Sequence, residues 1–303
     1  MVGGWHLSLY PYETMQHQSI DYALIGDAEY TLPLFLNALE SGDSLYAVKG
    51  IAFRDNGKLI LTSSASPTEN LDIVPFPARH LLKNELYYNI LSRRKNFTAM
   101  LSARGCPYQC IFCDLNTRKF RIRSAFNFVD EIEQNYRDLK IREFDIYDSS
   151  FTIDKQRVIK ICEEIIKRGV KVFWAARSRV DTVDKDLLRI MAKAGCNTLM
   201  YGIETGDPAI LNALKKHTDL NLVTDVVQTT KKCGIKTLGF FMIGSPGETA
   251  QSAMKTIQFS KALDLDYVQV TKLTPFPNTD IHRKLQEKGY GDYWKEFTLD
   301  PAF

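Results

Sequence analysis

The sequence lacks the features that would place it in several common protein classes. It contains no run of about 18 apolar residues, so no membrane span is predicted. No charged segment followed by an apolar stretch stands at its N-terminus, so we predict no secretion signal and expect a cytoplasmic location. Basic and acidic residues nearly balance, 39 against 36, and a net charge of +3 is too small to indicate a nucleic-acid partner.

Histidine and cysteine are also scarce. The five histidines show no paired spacing of the kind that zinc sites use. Six cysteines in a chain of 303 residues without a secretion signal do not predict a disulfide framework. Metal ligands and free thiols are the roles that remain for them.

What the chain does have is a regular alternation of strand and helix patterns from Phe97 onward. The strands are short apolar runs, as expected for a parallel sheet covered by helices. Six such units predict an α/β fold with a partial (β/α)6 TIM-like barrel. The predicted strands are 97–103, 143–147, 170–175, 198–203, 236–243 and 267–272. The predicted helices are 127–139, 155–168, 183–193, 220–232, 250–263 and 280–288.

The residues before Phe97 follow a different pattern. A strand end at 22–25 leads into a helix at 30–39, and residues 48–62 suit a hairpin that turns at Asn56-Gly57. Too few units are present to bury a sheet, so we expect the C-terminal remnant of a larger α/β domain. The predicted domains are 1–62 for this remnant, 63–96 for a linker and helix, 97–290 for the core and 291–303 for a tail.

Three cysteines stand together after the first strand of the core. Cys106, Cys110 and Cys113 have the spacing Cys-x-x-x-Cys-x-x-Cys, which supplies three thiolates from one short loop. A four-iron cluster held by three cysteines keeps one iron without a protein ligand, and that iron can bind a cofactor or substrate. A zinc site or a simple electron-transfer cluster is the alternative for these cysteines.

This motif, at the carboxyl end of the first of six βα units, resembles the radical S-adenosylmethionine (SAM) superfamily over residues of about 97–290. The resemblance implies an enzyme with two cofactors, a 4Fe–4S cluster at Cys106, Cys110 and Cys113 and SAM. In that family an electron from the reduced cluster cleaves SAM, and the adenosyl radical takes a hydrogen atom from the substrate. It also implies a small-molecule substrate and an external electron donor such as flavodoxin or ferredoxin.

The resemblance further implies residues that hold SAM, beginning with Phe112, whose ring or backbone would lie against adenine. Asp148 and Ser149, after the second strand, would hold the amino group, because a carboxylate pairs well with an ammonium. Packing of the loop remains the alternative for Phe112. For Asp148 the alternative is a helix-capping role.

Three later strands carry the other implied SAM contacts. Arg177 would pair with the carboxylate of SAM, a role that suits the guanidinium fork. Glu204 would accept hydrogen bonds from the ribose hydroxyls. Ile243 and Gly244 would contact adenine, although a tight turn before a helix also accounts for this segment. No residue is predicted to act directly on the substrate.

Segments of the N-terminal part indicate a branch of the superfamily. Residues 3–6, 26–29 and 71–77 resemble the end of a cobalamin-binding domain and its linker, as in enzymes similar to anaerobic magnesium-protoporphyrin IX monomethyl ester cyclase and related methyltransferases. Methylation or oxidative cyclisation of a small organic substrate is therefore expected. Cobalamin is a third cofactor to consider, but the branch's ligand motif, Asp-x-His-x-x-Gly, normally lies in a region that this chain does not contain.

Other functions stay open at this point. The same barrel could serve a cobalamin-free radical SAM mutase or a thioether-forming enzyme. A non-catalytic iron–sulfur carrier would also need the three cysteines, and a truncated remnant would keep them without activity. The identity of the substrate is not encoded in any motif that we recognise.

Overall fold

The computed structural model describes residues 1–117 and 119–299, so the last four residues of the predicted tail lie outside the described part of the chain. The chain divides into two compact units. The first unit consists of Met1–Val74 together with Pro275–Phe303, and the second of Pro75–Thr274. The predicted core extended to residue 290, whereas the second unit ends at Thr274.

The strands follow one another along the chain as β1 (Val2–Gly3), β2 (Tyr22–Leu24), β3 (Ile51–Asp55), β4 (Lys58–Leu61), β5 (Phe97–Met100), β6 (Ala103–Arg104), β7 (Arg121–Ile122), β8 (Glu143–Ile146), β9 (Phe173–Ser178), β10 (Cys196–Glu204), β11 (Lys236–Ile243) and β12 (Tyr267–Lys272).

The α-helices are α1 (Trp5–Leu9), α2 (Pro11–Thr14), α3 (Ala28–Ser41), α4 (Ala125–Asp138), α5 (Lys155–Lys167), α6 (Lys185–Lys193), α7 (Pro208–Ala213), α8 (Leu220–Lys232), α9 (Ala250–Ala262), α10 (Asp280–Glu287) and α11 (Tyr293–Leu299). Within the residues described, no helix combines the length and the apolar character needed to cross a bilayer.

The first unit holds a four-stranded sheet in the order β1-β2-β3-β4. β1 and β2 are parallel, and β2, β3 and β4 pair antiparallel. The predicted hairpin turn is confirmed, because Asn56 and Gly57 have φ angles of 47° and 78° between β3 and β4. Positive φ at both positions is what a two-residue turn of this kind requires, and Asn-Gly adopts it readily.

The second unit holds a six-stranded sheet in which every neighbouring pair is parallel. Its strand order is β5-β8-β9-β10-β11-β12, so strands that follow one another along the chain are neighbours in the sheet. At least one helix lies between each strand of this sheet and the next one along the chain, as the connection between parallel strands demands. The predicted α/β class with a parallel sheet is therefore confirmed.

The helix-covered side of this sheet forms the main apolar core. Phe128, Phe144, Phe151 and Trp174 are buried there together with the apolar faces of α4, α5 and α6. On α5 the buried residues include Val158, Ile161, Cys162 and Ile165, the i, i+3, i+4, i+7 pattern of an amphipathic helix. Full burial of each large side chain contributes roughly 1.5–3 kcal/mol.

The structure differs most clearly from the prediction in two strands of the second unit. The predicted strand at 97–103 is split into β5 and β6, because Asp148 accepts hydrogen bonds from the backbone N–H groups of Ser102, which lies between the two strands, and of Ala103, the first residue of β6. The predicted strand at 170–175 lies three residues later, as β9. Its polar end continues as a strand because Arg177 and Ser178 find partners inside the fold.

Candidate active site

The carboxyl ends of the six parallel strands meet at one edge of the sheet, which we call the carboxyl edge. The predicted cofactor residues lie in the last positions of these strands or directly after them. They are Asp148 and Ser149 after β8, Arg177 as the penultimate residue of β9, Glu204 as the last residue of β10, Ile243 as the last residue of β11 and Gly244 after it. Functional residues of parallel α/β sheets gather at this edge.

The cysteine loop, residues 105–113, follows β6 and is held by hydrogen bonds at several points. Gly105 opens the loop with φ of 79°, a conformation that glycine takes at little cost. Its carbonyl oxygen accepts a hydrogen bond of 2.7 Å from the Ser149 hydroxyl. Later in the loop, the Ile111 N–H donates to the Leu214 carbonyl at 3.2 Å, and the Cys113 N–H to the Cys110 carbonyl at 3.2 Å.

None of the three cysteines of the loop forms a disulfide bond. Burial raises the pKa of Cys110, and it raises the pKa of Cys113 to about 11. Cys106 contributes to both shifts, as does Cys110 to that of Cys113, because like charges disfavour ionisation of a neighbour. Three thiols outside any disulfide on a single loop fit a four-iron cluster that takes a thiolate at three of its irons.

No set of three His, Cys, Asp or Glu side chains in the described chain is placed to ligate one metal ion.

Phe112, between the second and third cysteines, is half-buried.

Asp148 is 1% exposed, and both of its carboxylate oxygens have partners. One accepts from the backbone N–H groups of Ser102 at 2.7 Å and Ala103 at 3.0 Å, and the other from the Ser102 hydroxyl at 2.5 Å. Arg157 forms an ion pair with it at 3.9 Å. Burial raises the pKa of Asp148, while these partners act in the opposite direction. The carboxylate fixes the backbone that leads into the cysteine loop.

The predicted alternative for Asp148, a helix cap, is wrong, because the side chain that caps α5 is Asp154. It is Asp154 that accepts the hydrogen bond from the Arg157 N–H, at 2.9 Å.

Arg177 is held from two sides. Its Nη1 and Nη2 donate to the two carboxylate oxygens of Asp145 at 2.7 and 3.3 Å, a bidentate pair. The guanidinium carbon also lies 3.6 Å from the centre of the Tyr147 ring. Because Asp145 is buried, the arrangement gives Arg177 a fixed orientation at the carboxyl edge.

Glu204 lies at an irregular point of β10, where the pairing with β11 shifts register between Gly202 and Glu204. Its φ of 74° is unusual for a residue with a side chain, and such strain costs about 1–3 kcal/mol and is typical of functional sites. The carboxylate accepts a hydrogen bond of 3.0 Å from the buried Lys216 ammonium. A Cβ atom on Gly202 would lie 2.5 Å from Glu204 Oε1, so a larger residue there would displace the end of the Glu204 side chain.

The segment after β11 is a tight turn. Gly244 has φ of 88°, and its N–H donates to the Glu248 carboxylate, as does the Ser245 N–H. The carbonyl oxygen of Ile243 accepts from the Leu273 N–H at 2.8 Å. The predicted turn is therefore confirmed. The contact between Ile243 or Gly244 and adenine stays a prediction.

Four buried or half-buried residues of this edge were missed at the level of sequence. Arg157 and Ser102 complete the Asp148 network, and Arg179 and Lys216 lie beside the cysteine loop. Lys216 follows α7, a helix that was not predicted, and it stands between two residues with positive φ, Lys215 and His217. Such backbone geometry leaves little trace in the residue types, so the sequence offered no signal for it.

Comparison with protein families adds a match over the second unit. The model described as the radical SAM superfamily matches residues 100–260. An uncharacterized methyltransferase of Pyrococcus horikoshii is 33% identical over 285 residues, which are 93% of this chain and 61% of that protein. The anaerobic magnesium-protoporphyrin IX monomethyl ester cyclase of Rubrivivax gelatinosus is 30% identical over 297 residues, 95% of this chain and 53% of the cyclase.

A solved structure shares the fold. The radical SAM methyltransferase TsrM from Kitasatospora setae, with cobalamin and a 4Fe–4S cluster bound, matches with a TM-score of 0.77 at 19% identity. The match covers 94% of this chain and 57% of TsrM. The chain thus spans between half and two thirds of the length of these relatives.

Proposed function

The chain belongs to the radical SAM superfamily, and from this membership we propose that it initiates methylation or oxidative cyclisation of a small organic substrate. It is an enzyme of a family whose cofactors are a 4Fe–4S cluster and SAM. The single observation that carries the proposal is the placement of three cysteine thiols in one loop at the carboxyl edge of a six-stranded parallel sheet.

Cys106, Cys110 and Cys113 would bind the cluster. When bound and reduced, such a cluster supplies the electron that cleaves the carbon–sulfur bond of SAM. The protein's own part is to keep the loop in one position and to exclude water. Ser149 does the former by donating to the Gly105 carbonyl, one residue before the first cysteine.

The predicted SAM-binding residues at the carboxyl edge would hold SAM through side chains and backbone groups. Arg177, which Asp145 holds at this edge, would pair with the carboxylate of SAM only by sharing its donors with Asp145. Glu204, whose Oε1 accepts from Lys216, would accept from the ribose hydroxyls. Ile243 and Gly244, with Phe112, would pack against adenine. Asp148 has both oxygens occupied by the chain, so we assign it the role of positioning the cysteine loop in place of direct contact with SAM.

The fold around this site would be a partial barrel. Six parallel strands in chain order, with helices on one side, are what a (β/α)6 arrangement needs. The four-stranded sheet of the first unit would correspond to the end of a cobalamin-binding-like domain. TsrM, whose structure contains cobalamin, matches over 94% of this chain, so the match extends beyond the second unit.

Two relatives support the proposed reaction class. One is a methyltransferase and one a cyclase, at 33% and 30% identity, and the match to each includes at least 93% of this chain. Both reactions can start with hydrogen removal from an unactivated carbon. The partners would be a small organic molecule and a one-electron donor such as flavodoxin or ferredoxin.

The test is anaerobic reconstitution with iron and sulfide, followed by reduction with dithionite in the presence of SAM. We expect release of 5′-deoxyadenosine from the wild type. Cys110→Ala should lose the cluster and this product. Cys196→Ala, which changes a thiol buried in the apolar core, is the matched control and should retain both. A reconstituted protein that binds iron but releases no deoxyadenosine would contradict the proposal.

Added cobalamin should distinguish methylation from the alternative reactions, those of a mutase or a thioether-forming enzyme, which also start with cleavage of SAM. Methylation at an unactivated carbon in this branch is expected to require cobalamin, whereas a mutase or thioether-forming reaction is not. Deoxyadenosine release and substrate conversion should therefore be compared with and without added hydroxocobalamin. Turnover that is unchanged by cobalamin would favour a mutase or a thioether-forming reaction.

A further inference from the structure

The second unit exposes a group of large apolar side chains on one short stretch of chain. The members of this group, each at least half exposed, are Leu81, Leu82, Leu86, Tyr87, Tyr88 and Ile90. Three of them reach 77% (Leu81), 76% (Tyr88) and 94% (Ile90). Single apolar side chains on a surface are ordinary, but a group of this size marks a surface that binds a partner or a membrane.

Basic residues accompany the apolar group. Residues 81–95, which we call the apolar–basic segment, contain four basic side chains and one acidic side chain. The four basic side chains, all exposed, are Lys83, Arg93, Arg94 and Lys95. Apolar side chains beside cations suit an anionic lipid surface, because the former enter the boundary of the acyl chains while the latter are attracted to the lipid phosphates.

Buried polar contacts fix the segment on the second unit. The Asn84 side chain is buried, and its Nδ2 donates to the Arg79 carbonyl at 2.7 Å. Glu143, which is buried at the start of β8, accepts from the backbone N–H groups of Arg93 and Arg94, each at 2.7 Å. The exposed apolar side chains take no part in these contacts, so they can bind a partner without loosening the segment.

These contacts place the segment at the amino ends of the parallel strands. Glu143 is the first residue of β8, and Phe97, the first residue of β5, donates its N–H to the Tyr87 carbonyl at 3.3 Å. The cysteine loop and the predicted SAM-binding residues lie at the opposite end of the sheet. A surface bound to the segment therefore leaves the carboxyl edge open to small molecules.

A lipid surface fits the segment better than a protein partner does. Interfaces between proteins are depleted in Lys and seat their anchoring side chains in pockets of the partner. Here two of the four cations are lysines, and aliphatic side chains protrude next to them. The paired rings of Tyr87 and Tyr88 are also typical of the membrane–water boundary, where an apolar ring with a polar hydroxyl is favoured.

We propose that the apolar–basic segment binds the anionic surface of a membrane. Leu81, Tyr88 and Ile90 would enter the boundary between headgroups and acyl chains, and Arg94 and Lys95 would lie at the lipid phosphates. The inference does not depend on the proposed function, because it concerns association of the second unit with lipid and no chemical step.

The experiment is flotation of the full chain with vesicles of phosphatidylcholine alone and of an equimolar mixture with phosphatidylglycerol. We expect binding to the anionic vesicles at about 0.1 M salt and loss of most of it at about 1 M salt, where charges are screened. Tyr88→Ser combined with Ile90→Ser should weaken binding about tenfold. Arg94→Gln combined with Lys95→Gln should weaken it by about as much, and only on the anionic vesicles.

Matched controls carry the same changes elsewhere on the second unit. Met254→Ser with Ile257→Ser alters two exposed apolar residues of α9, and Lys185→Gln with Lys193→Gln removes two exposed cations of α6. Both should bind vesicles like the wild type.

A wild type that does not float, that binds both kinds of vesicle equally, or that is weakened as much by the controls would overturn the inference. Sedimentation velocity on the same samples tests the other occupant. A wild-type dimer that dissociates in Tyr88→Ser with Ile90→Ser, without vesicle binding, would assign the surface to a second copy of the chain and equally overturn the inference. None of these outcomes bears on the release of deoxyadenosine, so the proposed function is tested separately.

Discussion

The two sides of the second unit's sheet are built on different principles. The helix-covered face is filled with apolar side chains such as Phe128, Trp174 and Leu187. The carboxyl edge buries charged groups instead, in pairs such as Asp145–Arg177 and Glu204–Lys216. Both regions are shielded from water. Burial is favourable for the apolar side chains of the helix-covered face, whereas it costs the charged groups of the carboxyl edge their hydration.

The difference indicates what each region is for. Apolar burial stabilises the fold in proportion to the area removed from water. Buried ion pairs contribute little net stability, because loss of hydration offsets most of their attraction. Their concentration at one edge of the sheet is therefore better explained by the fixed orientation and potential that they give to the site. Variants on the two sides should fail in different ways.

Trp174→Ala should give the largest loss of stability. The side chain is 1% exposed in the apolar core, and its Nε1 donates to the Ala194 carbonyl at 2.9 Å. Removing a buried indole leaves a cavity and costs about 4 kcal/mol. Urea unfolding of this variant should be compared with Phe126→Ala, whose side chain is 57% exposed and should cost less than about 0.5 kcal/mol. Equal losses in the two variants would contradict the assigned core.

Asp148→Ala should cost slightly less stability but damage the site more. Loss of the carboxylate removes the acceptor of the buried N–H groups of Ser102 and Ala103 and the counter-charge 3.9 Å from Arg157, at about 3 kcal/mol. The cysteine loop should then load less iron under conditions in which Trp174→Ala, if folded, loads the full amount. Full iron content in Asp148→Ala would show that the loop does not depend on this network.

The same contrast explains how much the sequence could predict. The helices of the core were predicted within about two residues of their bounds, because the spacing of apolar residues at i, i+3, i+4 and i+7 reports directly which face is buried. α8, β11 and β12 have their predicted bounds. The cysteine motif is equally visible, since its ligands are close together in the sequence.

The networks of the carboxyl edge could not be predicted in this way. Asp148 and Ser102 are 46 residues apart, and a pairing between distant charged residues has no periodicity that a sequence can reveal. Arg179 looked like an ordinary polar residue until the fold placed it on the Tyr108 ring. Likewise β9 continues past its apolar run only because Arg177 and Ser178 find buried partners.

Gly202→Ala tests whether close packing at the edge is as strict as in the core. A Cβ atom there would lie 2.5 Å from Glu204 Oε1 and 2.9 Å from Lys216 Nζ, so the ends of both side chains must shift. We expect a loss of about 2 kcal/mol and weaker SAM binding by isothermal titration calorimetry. Gly234→Ala is the matched control. Its φ is 80° with open space around it, so it should cost about 1 kcal/mol and leave SAM binding unchanged.

The smallest expected effect concerns pH and has opposite signs for a carboxylate inside the edge and one outside it. The pKa of Asp184, at the exposed start of α6, lies below 3.8 because it accepts from the Leu187 N–H and pairs with Lys155. Its stabilisation is therefore present above that pH and is lost as the pH falls. Burial raises the pKa of Asp148 above 3.8, so its folded-state contribution is largest at low pH and is lost as the pH rises.

Urea unfolding between pH 3 and pH 7 should therefore separate the two carboxylates. The stability lost in Asp184→Asn should grow with pH and reach only a few tenths of a kcal/mol, since Asn also caps helices well. The stability lost in Asp148→Asn should instead decrease as the pH rises. If both losses changed with pH in the same direction, the carboxyl edge would be no less solvated than the helix end, and its contrast with the exposed surface would disappear.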